Sequence, residues 1–270
     1  MKRLASALAV VCLAAVSFAV TATAPVGALP ATTTVYAANA YSYASGHLFG
    51  GTFCVNGTAI TSGAQTGEVD GPFTLDSGEA NVLFYNDFNV TCGTGSPTAQ
   101  ATVDLPAGGS VTLMADWHNQ ANVVMLVDPL QCVDAGTGRL TVRNGANSRG
   151  GSVDIHGTGP DGVSTLLLTG VKAGNQGSVD LPVGDYTNLF VTEVGDSQPV
   201  WTIPDVTIAA DSGAYAYLYG GNDGAQGSFL APPAELAACA VPTTTTVPAT
   251  TTTAPPAAAK AVQATPAFTG

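Results

Sequence analysis

The sequence predicts an all-β chain, two tandem immunoglobulin-like or transthyretin-like β-sandwich modules followed by a disordered Thr/Pro-rich tail, and three observations carry that expectation. A motif recurs: the same 106-residue offset separates Leu75 from Leu181, Gly78 from Gly184, Leu83 from Leu189 and Phe84 from Phe190. Short runs rich in Val, Thr, Tyr and Phe alternate with Gly, Asn, Asp and Pro clusters, as they do in antiparallel sandwiches. No helical periodicity stands out after the first residues of the chain.

Those first residues, 1–28, read as a secretory signal peptide. Met1, Lys2 and Arg3 precede an uncharged apolar run from Leu4 to about Val20, and small residues then allow cleavage after Ala24 or Ala28. The run is short for a retained anchor, and no stop-transfer charge follows it. Val11 is too bulky for a lipoprotein cleavage site before Cys12, so Cys12 leaves with the signal.

Copy one is expected over 32–130 and copy two over 139–232, each of about 100 residues and able to bury its own core. Strand candidates in copy one are 34–38, 52–56, 71–75, 80–86, 99–105, 110–116 and 122–128, with Asn56-Gly57 as a tight turn because both residues tolerate positive φ. Copy two answers with 140–144, 152–156, 176–181, 186–193, 201–208, 214–219 and 227–230. The copies differ in length between Gly57/Gly157 and Gly71/Gly177, where the offset grows from 100 to 106. The six extra residues fall near Thr158–Val163, around the turn-forming Gly159-Pro160-Asp161-Gly162, and predict a longer exposed loop. Tyr215, Tyr217 and Tyr219 share one face of a strand, and with Gly109 set against Gly213 they fall opposite Val111, Leu113 and Ala115, as core residues of copy two.

Four cysteines remain after processing, Cys54, Cys92, Cys132 and Cys239, an even number in an exported chain. Four cysteines allow three pairings. Cys54 and Cys92 both lie inside copy one, whereas Cys132 and Cys239 bracket copy two, which favours Cys54–Cys92 and Cys132–Cys239.

The formal charge is −12, and loss of Lys2 and Arg3 takes it to −14. From Ala31 to Ala135 there is no Lys or Arg against nine acids, a surface that repels phosphate backbones and anionic headgroups. Nucleic acid is therefore excluded as a partner. No membrane span is expected in the mature chain.

No catalytic, cofactor-binding or metal-binding residues are expected. The histidines His47, His118 and His156 lack second ligands at metal spacing, and no Asp-x-Asp-x-Asp calcium run exists. There is no Gly-x-Ser-x-Gly, no His-Glu-x-x-His and no free cysteine nucleophile. Acids such as Asp76 and Asp211 sit in Asp-Ser-Gly turns, where the carboxylate serves the turn. Copy one has no Lys for an internal Lys–Asn crosslink, and copy two has only Lys172.

Arg139-Leu140-Thr141-Val142-Arg143, Val153-Asp154-Ile155-His156-Gly157 and Gly177-Ser178-Val179-Asp180-Leu181-Pro182-Val183-Gly184-Asp185-Tyr186 together resemble the bacterial domain-of-unknown-function 4397 family. Copy one is similar to the cysteine-bearing member of such a pair, through Phe53-Cys54-Val55-Asn56-Gly57 and Cys92. The resemblance spans about Val35 to Leu230. Where family members commonly carry His-Ala and Pro-rich residues after the first strand, this chain has Asn144-Gly145-Ala146-Asn147-Ser148-Arg149. The resemblance implies an exported sandwich pair and supplies no catalytic residue.

The segment 241–270 is low-complexity Thr, Pro and Ala, a composition that builds no core. As an extended stalk, Val241 to Ala259 would reach roughly 60 Å. Thr265-Pro266-Ala267-Phe268-Thr269-Gly270 resembles a degenerate Leu-Pro-x-Thr-Gly sorting motif, so a truncated sorting signal and a chance likeness both stay open. The expected protein is thus secreted or displayed at the cell envelope, non-enzymatic, and devoted to binding, adhesion or structure through a glycan or protein ligand. The alternatives are an extracellular hydrolase of envelope polysaccharide, with a carboxylate pair near the copy-two loop, and a purely mechanical spacer.

Overall fold

A computed structural model describes residues 31–41, 50–88, 90–118, 120–129, 131–146, 151–220 and 227–236. The signal segment, His47, Cys239 and the tail lie outside the described residues.

Among the described residues, copy one holds nine strands: β1 (Thr32–Asn39), β2 (Gly50–Val55), β3 (Thr58–Ala59), β4 (Ala64–Gln65), β5 (Val69–Asp76), β6 (Gly78–Tyr85), β7 (Ala99–Leu105), β8 (Ser110–His118) and β9 (Gln120–Val127). Copy two holds β10 (Thr137–Asn144), β11 (Ser152–Thr158), β12 (Ser164–Lys172), β13 (Asn175–Pro182), β14 (Gly184–Glu193), β15 (Pro199–Thr202), β16 (Val206–Ile208), β17 (Ser212–Tyr219) and β18 (Gly227–Glu235). Each copy is a pair of sheets. In copy one the orders are β5-β1-β8-β9 and β3-β2-β6-β7; in copy two they are β13-β10-β17-β18 and β12-β11-β14-β15. The same parallel pair, β1 with β8 and β10 with β17, marks both copies, and the other pairings are antiparallel. An all-β tandem pair of sandwiches is therefore the fold.

Inward residues alternate along the strands as a half-buried sheet requires. In copy one Val35, Ala37, Phe53, Val82, Phe84, Val111 and Leu113 close the core, and in copy two Leu140, Val142, Val153, Ile155, Leu189, Ala216 and Leu218 do the same. The repeat extends to a polar detail. Asn39 and Asn144 end the equivalent strands β1 and β10, both fully buried, and each amide donates across the sandwich, to Ala64 O at 2.7 Å and to Val171 O at 3.0 Å. Each side-chain oxygen also accepts the backbone N–H two residues on, at Tyr41 and Ala146.

Three local expectations are corrected, and a fourth holds. The turn of copy two is longer and exposed as expected: five residues, Gly159 to Val163, join β11 to β12 where Asn56 and Gly57 alone join β2 to β3, and beyond the turn the continuous β12 stands where copy one has the two-residue β3 and β4. The turn itself is tight, with Gly162 N–H donating to Gly159 O at 2.9 Å and Val163 N–H to Asp161 Oδ1 at 3.0 Å. The single strand expected over 201–208 is split into β15 and β16, because Pro204 offers no N–H to continue the pairing. The last strand runs on to Glu235 past Pro232 and Pro233, which an edge strand tolerates, and a register shift between Gly213 and Tyr215 accommodates them. The Asn56-Gly57 turn forms as expected, with φ of 50° and 80°.

The tyrosine row requires the third correction. Val35 pairs with Val111 and Leu140 with Ala214, which makes Val111 the equivalent of Ala214, one residue away from the Gly109/Gly213 alignment. Tyr215, Tyr217 and Tyr219 consequently answer to Thr112, Met114 and Asp116, on the opposite face of the sheet from the core of copy two. That face is also buried. Ala38, Ala40, Met114 and Leu126 of copy one pack with Tyr215 and Tyr217 of copy two, and Tyr219 and Phe229 join the cluster. Two homologous sheets thus lie back to back, and β10 is buried on both faces.

Candidate functional site

The most concentrated polar chemistry of the molecule lies between the two sandwiches. Arg143 projects from the outer face of β10, 1% exposed, and meets Asp128 just beyond β9 in a buried ion pair. Its remaining donors go to Thr112 Oγ1, to Tyr217 Oη and, at 3.1 Å, to Gln176 Oε1. The guanidinium carbon lies 4.6 Å from the centre of the Tyr215 ring. Asp128 accepts a second hydrogen bond from Ser110 Oγ. Burial, and then the charge of Asp128, push the Tyr215 phenol up to about 12. A cavity of about 50 Å³ adjoins this cluster, bounded by Tyr36, Gly71, Arg143 and Tyr215. With its charges paired and its volume at the scale of ordered water, the cluster is a fastening between sandwiches.

A second arginine holds the connection. Arg139 grips Asp180 through both carboxylate oxygens, at 2.6 and 2.9 Å, and donates to Pro129 O and Gln131 O at 3.0 Å. The segment between β9 and β10 is thereby tied down onto β13.

Asp116, on the outer face of β8, is the odd group at the same interface. It is 1% exposed, and a methyl group at Gly174 of copy two would stand 3.7 Å from its carboxylate. Neither oxygen makes a hydrogen bond of good geometry; Asn122, directly across the β8–β9 pair, is near enough only to moderate the effect of burial. Burial pushes its pKa up to about 7.

An open candidate lies at one end of copy one, in the connection between β6 and β7. Cys92 in this connection is bonded to Cys54 of β2, as expected, with Cα atoms 5.9 Å apart. Further ties fix the segment: Thr52 Oγ1 donates to Asp87 O at 3.0 Å, Asn86 N–H to Thr98 Oγ1 at 2.9 Å, and Gly93 N–H to Tyr85 Oη at 3.2 Å. Between them opens a polar cleft of about 550 Å³, bounded by Tyr85, Asn86, Phe88, Thr91, Thr94 and Thr98. Phe88 is 53% exposed, and its ring rests where Gly50 and Gly63 leave out side chains; a methyl group there would come within 2.0 and 2.5 Å of the ring. The side-chain oxygen of Asn86 is buried with no hydrogen-bond partner. Sequence reasoning missed this cleft, because Gly50, Gly63 and Phe88 meet only through the fold.

The other residues singled out in the sequence are dispersed. His156 of β11 stacks on Phe190 with ring centres 4.9 Å apart, and its Nε2 lies 3.3 Å from Thr192 Oγ1. Near the copy-two turn, Asp161 accepts Val163 N–H, and Asp185 accepts Thr207 Oγ1 at 2.6 Å. Cys132 is disulfide-bonded, and its expected partner Cys239 lies outside the described residues. Among the described residues no group of three His, Cys, Asp or Glu side chains is arranged to hold a metal ion. No helix of the described residues is long and apolar enough to cross a membrane.

Neither a family model nor a curated protein sequence matches the chain. Among solved structures it is similar to the Bacillus anthracis TIE protein, with 12% identity over 71% of this chain and a TM-score of 0.23. The match covers 33% of that protein, so the chain spans about a third of its length.

Proposed function

We propose that the protein is an exported, non-enzymatic binding protein, secreted or displayed at the cell envelope, whose working surface is the cleft at the end of copy one. The observation that carries this is a 550 Å³ opening built on a connection that a disulfide and three hydrogen bonds hold in place. A recognition surface fixed before contact avoids the ordering cost that a loose loop meets on binding. Disulfides at Cys54–Cys92 and at Cys132 suit an oxidising compartment, in keeping with the apolar N-terminal segment. Copy two, through Arg143 and Tyr217, would serve as the base against which copy one is held. Likeness to the domain-of-unknown-function 4397 family, in which paired modules are exported, agrees with this role.

The test is co-sedimentation of the purified full chain with isolated bacterial envelope material. Saturable binding is expected, and Thr94→Trp, which fills the cleft from an exposed position, should abolish it while leaving the unfolding midpoint unchanged. Binding that Thr94→Trp leaves intact would remove the cleft from consideration. Release of new reducing ends from the same material would replace binding with hydrolysis.

A further inference from the structure

Resting on the cleft as the binding surface, we propose that its ligand is a neutral glycan, seated with the apolar face of one sugar ring on Phe88 and its hydroxyl groups toward Asn86 and the threonines.

The chemistry of the walls points there. One aromatic ring, half exposed and fixed from beneath by the bare backbone at Gly50 and Gly63, offers a flat apolar platform. Around it stand side chains that both donate and accept, Thr91, Thr94, Ser96 and Thr98, the hydroxyl set that matches hydroxyl-rich ligands. A pyranose has this division of surface, C–H groups on one face and hydroxyls around the rim. The size fits too, since small-molecule sites run from roughly 300 to 1,000 Å³.

Charge narrows the class. Copy one has no Lys or Arg from Ala31 to Ala135, and Asp87 stands exposed at the rim of the cleft. Uronic-acid polymers, sulfated glycans and phosphate-bearing polymers would meet repulsion with no cation to offset it. A peptide side chain would meet mainly polar walls here in place of the apolar pocket that peptide recognition generally uses.

The experiment is isothermal titration of the purified full chain with neutral gluco-, manno- and galacto-hexasaccharides, with polygalacturonate as the anionic control. At least one neutral probe should bind with a Kd in the micromolar to millimolar range, and polygalacturonate should not. Phe88→Ala should weaken binding roughly tenfold, as loss of an aromatic contact implies. Phe88→Leu keeps an apolar group over Gly50 and Gly63 but has no ring, and it should weaken binding to a similar extent. Asn86→Ala should cost several-fold. Equal affinity in the Phe88 variants, or preference for the anionic polymer, would overturn the proposal. If no neutral probe binds while Thr94→Trp still abolishes envelope binding, the ligand class is wrong and the cleft stands. If protease treatment of the envelope also destroys that binding, the ligand is a protein. Envelope binding that survives Thr94→Trp would take down the cleft and the ligand class together.

Discussion

The two sandwiches share one sheet plan, yet they finish the equivalent outer face with different materials. On copy one the face formed by β1, β8 and β9 carries small and aliphatic groups, Ala38, Met114 and Leu126; on copy two the equivalent face carries Tyr215, Tyr217, Phe229 and the cation Arg143. Position by position, Arg143 answers to Ala38 and Tyr217 to Met114. The backbone plan repeats, while the two surfaces differ and fit one another. A duplicated module becomes half of an asymmetric pair in this way, with one copy presenting a cation and rings, and the other supplying the anion Asp128 and a bed of small side chains.

The sharpest way to break this pairing is Arg143→Ala. It strands Asp128 as a buried anion and should cost about 3–5 kcal/mol in urea unfolding, splitting one transition into two. Replacing both partners with apolar residues, Arg143→Met with Asp128→Leu, should recover most of that loss, because burying an ion pair is itself expensive. A single transition of unchanged midpoint in Arg143→Ala would mean that the sandwiches are not fastened there.

The next effect belongs to copy one alone. Removing Cys54–Cys92, which closes a loop of 38 residues, should cost about 4 kcal/mol on the loop-entropy account and should also release the connection that frames the cleft. Melting that leaves the copy-two transition in place while lowering the other would assign the disulfide to one sandwich.

The smallest expected effect concerns Asp116. Its folded pKa, about 7, lies above the ordinary 3.8, so the folded state holds a proton that the unfolded chain releases across that interval. Stability should therefore be greatest below about pH 4 as far as this group is concerned, and should fall as the pH rises toward 7. Asp116→Asn should flatten this slope and raise the stability at pH 7. A slope between pH 4 and 7 that persists in Asp116→Asn would place its origin in another group.

Much of the fold was legible because the repeat fixed both the number of modules and the neighbourhood of most strands. Leu75/Leu181 and Gly78/Gly184 fall at equivalent points of β5/β13 and β6/β14, as the offset requires. Strand β12 was hidden: Ser164-Thr165-Leu166-Leu167-Leu168 has no two-residue alternation, and its pairing with β11 contains register shifts. The tyrosine row shows how little error a sheet forgives. An alignment displaced by one residue, Gly109 against Gly213, moved three rings from the outer face to the core. Arg143 was visible as part of a motif but not as a buried ion, since only the partner sandwich buries it. Cys54–Cys92 was accessible from its placement within one copy. The cleft was not, because its floor and its ring come from separate strands and loops.

The bare faces hidden between β8 and β17 have one more consequence. Cut apart, either half would show water a broad oily wall, with Met114 and Leu126 on one piece and the tyrosines around an orphaned guanidinium on the other. Such fragments would tend to clump or seek a substitute mate, so shuffling a single half into another gene would carry a solubility penalty that the intact tandem does not have.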